Sequence, residues 1–147
     1  MLHWPYAQTW QWQEGQLIIT REHSTEGRVV LSEPPSNVQV SRTGTSHYVK
    51  NADGSLTVVT SGFAATEWGN TRGVDSSSAK QLSERYTLED DGQTLALTYT
   101  LIDPQFLNSP VELSVRYAKV ADYEFAEEPP CDAYTAQRHL EFEPTEG

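Results

Sequence analysis

An all-β domain is the fold class this sequence predicts: an antiparallel meander closed into a barrel or sandwich of about eight to ten strands, with one short C-terminal helix. Three observations point to it. Apolar and polar residues alternate over most of the chain, which is the period of a half-buried strand. Clusters of Gly, Asn, Asp and Pro interrupt that alternation at fairly even spacing, as turns do in a meander. The length of 147 residues, with Cys131 the single cysteine, suits one domain that buries roughly 70% of its unfolded surface without a disulfide framework.

In chain order the candidate strands cover 8–13, 16–23, 27–32, 37–42, 45–50, 55–62, 80–89, 93–102 and 111–120. Two turns are strongly signalled, Asn51-Ala52-Asp53-Gly54 and Glu89-Asp90-Asp91-Gly92, because Asp-Gly supplies the positive φ of tight hairpin turns. Each pins a hairpin. The stretch 64–78, with Trp68, two glycines and three consecutive serines, reads as a surface loop or lid. After Pro129-Pro130, Asp132 is an N-cap, and Ala133, Ala136, Gln137 and Leu140 share one helical face, with Pro144 beyond. No repeat or linker divides the chain, so 1–147 reads as a single domain.

Period two assigns the inward side chains. Leu95, Leu97, Tyr99 and Leu101 share a face, as do Leu82, Tyr86 and Leu88. A four-residue loop over 90–93 pairs Leu88 with Leu95, Tyr86 with Leu97 and Leu82 with Leu101, and so sets Glu84 opposite Tyr99, facing in. An inward carboxylate is costly unless it is hydrogen-bonded or paired. Either Tyr99 satisfies it, an arginine pairs with it or it sits at a barrel mouth, or it serves a wet, functional interior. An even-length loop at 51–54 sets Val49 near Leu56 and His47 near Val58, turning His47 inward too. A lone inward histidine is more often a satisfied core residue than a ligand or base. Trp4, Tyr6, Trp10 and Trp12 crowd the N-terminus, Trp10 and Trp12 on one strand face. They either plug one end of a barrel or wall a small-molecule pocket.

Charge and motif narrow the functional classes. Ten Lys and Arg against 21 Asp and Glu give a net charge of −11, which repels nucleic-acid backbones and anionic membranes. No stretch approaches the roughly 20 apolar residues of a membrane span, and Met1 to Pro5 lacks the regions of a signal peptide. The chain therefore reads as cytoplasmic, or as the mature part of an exported protein. His3, His23, His47 and His139 never fall at metal-ligand spacing, and the acidic run Asp122, Glu124, Glu127, Glu128 and Asp132 lacks the order of a calcium loop. Neither a metal nor a cofactor is predicted. Cys131 before a helix has the placement of a low-pKa thiol, but His139, eight residues on, lies about 12 Å away along that helix. No nucleophile elbow, phosphate loop or dinucleotide fingerprint is present.

The ordered elements Leu56-Thr57-Val58-Val59-Thr60-Ser61-Gly62-Phe63, Ser83-Glu84-Arg85-Tyr86, Ile102-Asp103-Pro104 and Tyr123-Glu124-Phe125 carry a resemblance. They resemble a group of uncharacterised, often exported bacterial proteins with the pattern Gly-His-Ser, Asp-Thr-Leu-Val-Val, Thr-Gly-Phe, Glu-Arg, Asp-Pro and Tyr-Glu, over roughly residues 26–128. The resemblance implies a lipocalin-like β-barrel and no particular activity. The group's Glu-Arg element corresponds to Glu84 and Arg85. Thr45 stands at the group's histidine position, with His47 two residues on, and the group's usual N-terminal leader has no counterpart.

Three functional readings follow. The preferred one is a binding domain whose interior holds a small apolar or aromatic molecule, with Glu84, His47, Tyr99 and Tyr86 around it and the Trp68 loop at its mouth. The second is a small lyase or isomerase with Glu84 or His47 as base and Tyr99 or Tyr86 as proton donor. It requires Glu84 and His47 to share a cavity. The third is a structural or assembly domain that forms a homodimer through exposed strand edges.

Overall fold

A computed structural model describes residues 6–24 and 26–125. Ten strands form: β1 (Gln8–Gln13), β2 (Gln16–Arg21), β3 (Arg28–Leu31), β4 (Thr45–Lys50), β5 (Leu56–Ser61), β6 (Thr66–Thr71), β7 (Val74–Ser76), β8 (Gln81–Leu88), β9 (Thr94–Ile102) and β10 (Val111–Ala118). Eight make one strongly curled sheet, a half-barrel, in the order β1-β2-β3-β4-β5-β8-β9-β10, and β6 with β7 makes a separate two-stranded sheet. The all-β expectation holds, and no described residue is helical. The expected helix over 132–140, with Cys131 and His139, lies outside the described residues, as do His3 and Trp4.

The expected closure does not occur. Among the described residues β1 and β10 are the two ends of an open sheet. Side chains span the concavity instead: the Trp10 ring of β1 stands edge-on to Tyr86 of β8 at 4.7 Å, and Arg28 of β3 reaches Glu84 of β8. Leu17, Ile19, Val30, Val58, Tyr86, Leu97 and Tyr99 fill the space between as one buried cluster, each contributing about 1.5–3 kcal/mol by leaving water.

The meander is also interrupted, because β3 and β4 pair in parallel, Val30 with Ser46 and Leu31 with His47. Parallel neighbours need a long crossover, and residues 32–44 supply it. This is why the expected strand over 37–42 does not form: the place beside β3 belongs to β4. Ser41 makes a single bridge to Phe63, while Val38 and Val40 stay exposed. The crossover lies so close to Gly62 (φ 74°) that a Cβ there would sit 2.2 Å from the Val38 side chain.

The β8–β9 register is as expected, Leu88 with Leu95, Tyr86 with Leu97, Glu84 with Tyr99 and Leu82 with Leu101. Glu89 N–H donates to the Thr94 carbonyl at 2.8 Å and closes the four-residue loop 90–93. The β4–β5 register differs by one residue. Asn51 N–H donates to the Ser55 carbonyl at 2.8 Å, leaving a three-residue loop with Gly54 at φ 84°, a common hairpin form. Asp53 Oδ1 holds that loop by accepting from Ser55 N–H at 3.0 Å and Ser55 Oγ at 2.6 Å. His47 therefore faces Val59, and Tyr48 faces Val58. A one-residue slip exchanges the faces of a strand, so Ser46 and Tyr48 point inward and His47 outward.

The expected loop over 64–78 contains the β6–β7 hairpin, turning at Arg72-Gly73 with Gly73 at φ 82°. Its register shifts between Thr66 and Thr71. In that irregular segment Trp68 adopts φ 55°, a conformation a bulky side chain rarely takes, and its N–H donates to Asp75 Oδ1 at 2.9 Å.

Candidate functional site

Glu84 is wholly buried in the middle of β8, where backbone N–H groups are committed to the sheet ladder. Its partners are side chains. Arg28 ion-pairs with Oε2 at 2.5 Å, and the Tyr86 hydroxyl donates to Oε1 at 3.1 Å. Arg28 also donates through Nε to Ser46 Oγ at 3.1 Å and through a terminal nitrogen to Ser46 Oγ at 2.9 Å and Thr60 Oγ1 at 2.7 Å. The two hydroxyls lie 2.8 Å apart. Tyr99 flanks the carboxylate, and its hydroxyl lies near that of Tyr117 of β10. One polar network thus runs across the inner face from β3 to β8.

Electrostatics follow from that arrangement. Burial lowers the Arg28 pKa, but the Glu84 charge outweighs it and the net shift is upward, so the guanidinium stays charged. Burial first, then the Glu84 charge, drives the Tyr86 hydroxyl well above its ordinary value. Burial and the Tyr117 and Tyr86 neighbours do the same to Tyr99. Both phenols remain neutral donors at any physiological pH.

The structure gathers Glu84, Tyr86 and Tyr99 and separates the other two expected site residues from them. His47, half-buried, lies on the outer face in the row His47, Val59, Ser83, Thr100. Glu84 lies on the inner face in the row Tyr48, Val58, Glu84, Tyr99, Leu113. The sheet stands between them, and an acid–base pair of His47 and Glu84 in one cavity has no geometric basis. Trp68 belongs to the β6–β7 hairpin and is 59% exposed. Arg85, beside Glu84 in the chain, points outward and ion-pairs with Asp53.

Sequence reasoning missed Arg28, Ser46 and Thr60. The signal for Arg28 was its phase, since it shares the inner face with Val30 on a four-residue strand. It also missed a second buried carboxylate, Asp103, just past the end of β9. Asp103 accepts from Ser77 N–H at 2.8 Å, Ser77 Oγ at 2.7 Å, Asn70 Nδ2 at 2.9 Å and Gln105 N–H at 3.3 Å. Burial pushes its pKa up, and those donors, led by Ser77, outweigh burial and hold it below the usual range. Lys80 donates to the Gly69 carbonyl at 2.8 Å over the Phe63 ring, with its pKa lowered by burial against the opposing pull of Asp103. An open groove of about 460 Å³ adjoins this cluster, lined by Thr66, Glu67, Asp75, Ser76, Ser77 and Phe106 among others.

The inner face is not uniformly covered. Glu84 and Leu97 have at most 1% of their surface exposed, whereas Leu113 and Val111 of β10, on the same face, are 40% and 38% exposed. Val115 and Tyr117 continue that apolar stripe, half-buried. At the other end Trp12 is exposed, packs edge-on against Tyr48 at 5.2 Å, and carries Lys50 Nζ 5.2 Å from its ring centre.

Among the described residues no group of three His, Cys, Asp or Glu side chains is placed to hold a metal, and no helix is long and apolar enough to cross a membrane. No family model, curated protein or solved structure matches the chain.

Proposed function

We propose that this protein is a small-molecule-binding domain that takes an apolar or aromatic ligand on the open part of its inner face, along β9 and β10. The observation that carries the reading is the stripe Val111, Leu113, Val115 and Tyr117. It continues the packed interior yet remains accessible, as an apolar surface awaiting an occupant does. The Tyr99–Tyr117 hydroxyl pair supplies a polar handle of the kind that orients ligands in otherwise apolar sites. Glu84 and Arg28 hold the wall of this site from beneath, since their charges are spent on each other and no surface of Glu84 is left for a ligand.

The test is a titration with a neutral aromatic fluorophore, N-phenyl-1-naphthylamine, chosen because an anionic probe would be repelled by the net charge of −11. Saturable binding weakened about tenfold or more by Leu113→Asp, the cost of a charge in an apolar contact, supports the reading. Absent binding, or binding indifferent to that substitution, overturns it.

A further inference from the structure

The outer edge of β10 pairs with no described residue, so an eight-residue strand presents a row of open backbone groups. Edge strands left open in this way are templates for a further strand, and proteins that stay monomeric blunt them with charged side chains, proline or bulges. β10 has neither proline nor bulge, and its two charges, Glu112 and Arg116, are of opposite sign, so they can answer each other across a two-fold rather than repel a second copy. Its outer face reads Glu112, Ser114, Arg116 and its inner face Val111, Leu113, Val115, Tyr117.

We infer that two copies of this chain associate through β10, antiparallel, about a two-fold axis passing through Ser114. In that register Glu112 faces the partner's Arg116, Leu113 the partner's Val115, and Val111 the partner's Tyr117. Every residue from 111 to 117 finds a partner, and each twofold-related contact occurs twice, as an isologous interface requires. Other registers are worse. A slip of one residue would set the apolar inner side chains against the partner's outer ones. A slip of two toward the start of the strand pairs only residues 111 to 115 and leaves Glu112 facing Ser114, and a slip of two the other way pairs as many residues but leaves Glu112 facing Ala118 and Arg116 facing Ser114. Of the registers that keep like faces together and pair seven residues, only this one matches opposite charges, which favours a second copy over an unrelated strand. Arg116 has the freedom to serve: it already touches Glu89 through Nε at 2.9 Å, yet its side chain is 76% exposed.

The opposite edge offers no such match. β1 reads Gln-Thr-Trp-Gln-Trp-Gln, with no charge to select a register. Pairing through β10 also joins the two inner stripes into one apolar trough, with the partner's Tyr117 beside Val111. The dimer stands on the edge alone and does not require the ligand proposed above.

Analytical ultracentrifugation of the full chain at about 0.15 M salt, where surface charges more than about 8 Å apart are largely screened, reads the association. A concentration-dependent dimer is expected. Glu112→Arg sets two like charges against each other twice and weakens the dimer about tenfold or more, while Glu112→Arg with Arg116→Glu restores it. Independently, Ser114→Cys in a Cys131→Ser background crosslinks under mild oxidation, because residues facing each other across an antiparallel pair lie within disulfide reach, whereas Glu112→Cys in the same background does not. A monomer at high concentration, failure of the charge swap to restore association, or crosslinking through Glu112→Cys in preference to Ser114→Cys overturns the inference. A charge-reversed monomer that still binds the fluorophore separates the two proposals.

Discussion

Two buried carboxylates in this molecule, Glu84 and Asp103, are equally removed from solvent and are satisfied in opposite ways. Glu84 sits mid-strand, where every nearby backbone N–H belongs to the ladder, so it recruits a cation from three strands away and a tyrosine from its own. Asp103 lies just beyond a strand end, where the N–H groups of Ser77 and Gln105 are unclaimed, and neutral donors suffice. Position along a strand decides which groups can solvate a buried charge. It also decides what losing a partner costs, since an ion pair broken on one side leaves a naked charge in the interior.

The largest effect separating the two regions is expected from Arg28→Met, which strands Glu84 and should destabilise the fold by about 3 kcal/mol, toward the lower end for a buried pair because the Arg28 side chain is 23% exposed. Adding Glu84→Leu should return most of that loss, as apolar replacement of a whole buried pair often does. Urea unfolding of the two variants measures both, and a double variant as unstable as the single would mean the network does more than neutralise its own charges.

Asp103→Asn is expected to cost less, about 2 kcal/mol, because an amide cannot accept from donors on both of its terminal atoms. It should also change the acid response. With its folded pKa depressed, Asp103 contributes stability that is fully present above its unfolded pKa of about 3.9 and is lost as pH falls through the folded value. The variant should therefore lose part of the acid-side slope in a series of denaturation curves. Asp53, held at about 2 first by the Ser55 hydroxyl, and Asp91, lowered first by the Gln93 N–H, supply slope of the same sign. An unchanged slope would show that Asp103 is not the sensor.

The smallest effect is expected from Tyr86→Phe, which removes one donor from Glu84 and leaves the Arg28 pair and the Trp10 contact. About 1 kcal/mol is expected by thermal or urea unfolding, and a loss as large as that of Arg28→Met would make the hydroxyl, rather than the guanidinium, the main support of the carboxylate.

Legibility differed between the hairpins for a physical reason. In β8–β9 the Asp-Gly turn and its four-residue loop set the register, and Glu84 was read correctly as inward and opposite Tyr99. In β4–β5 the same dipeptide closed a three-residue loop, because Asp53 captures Ser55, and the one-residue difference sent His47 to the other face. The β6–β7 hairpin was hidden by Trp68 and Gly69 in its first strand, although Thr71-Arg72-Gly73-Val74 marks its turn.

Alternation, turn chemistry and length by themselves determined that this protein is all β, where most strands run, and that a carboxylate faces inward on β8, since these depend only on neighbours in the chain. The parallel step from β3 to β4, the open sheet, the Arg28 partner of Glu84 and the donor set around Asp103 were decided only by tertiary structure. Each joins segments far apart in sequence, and which of them meet depends on how the curled sheet brings its two halves together around one packed interior.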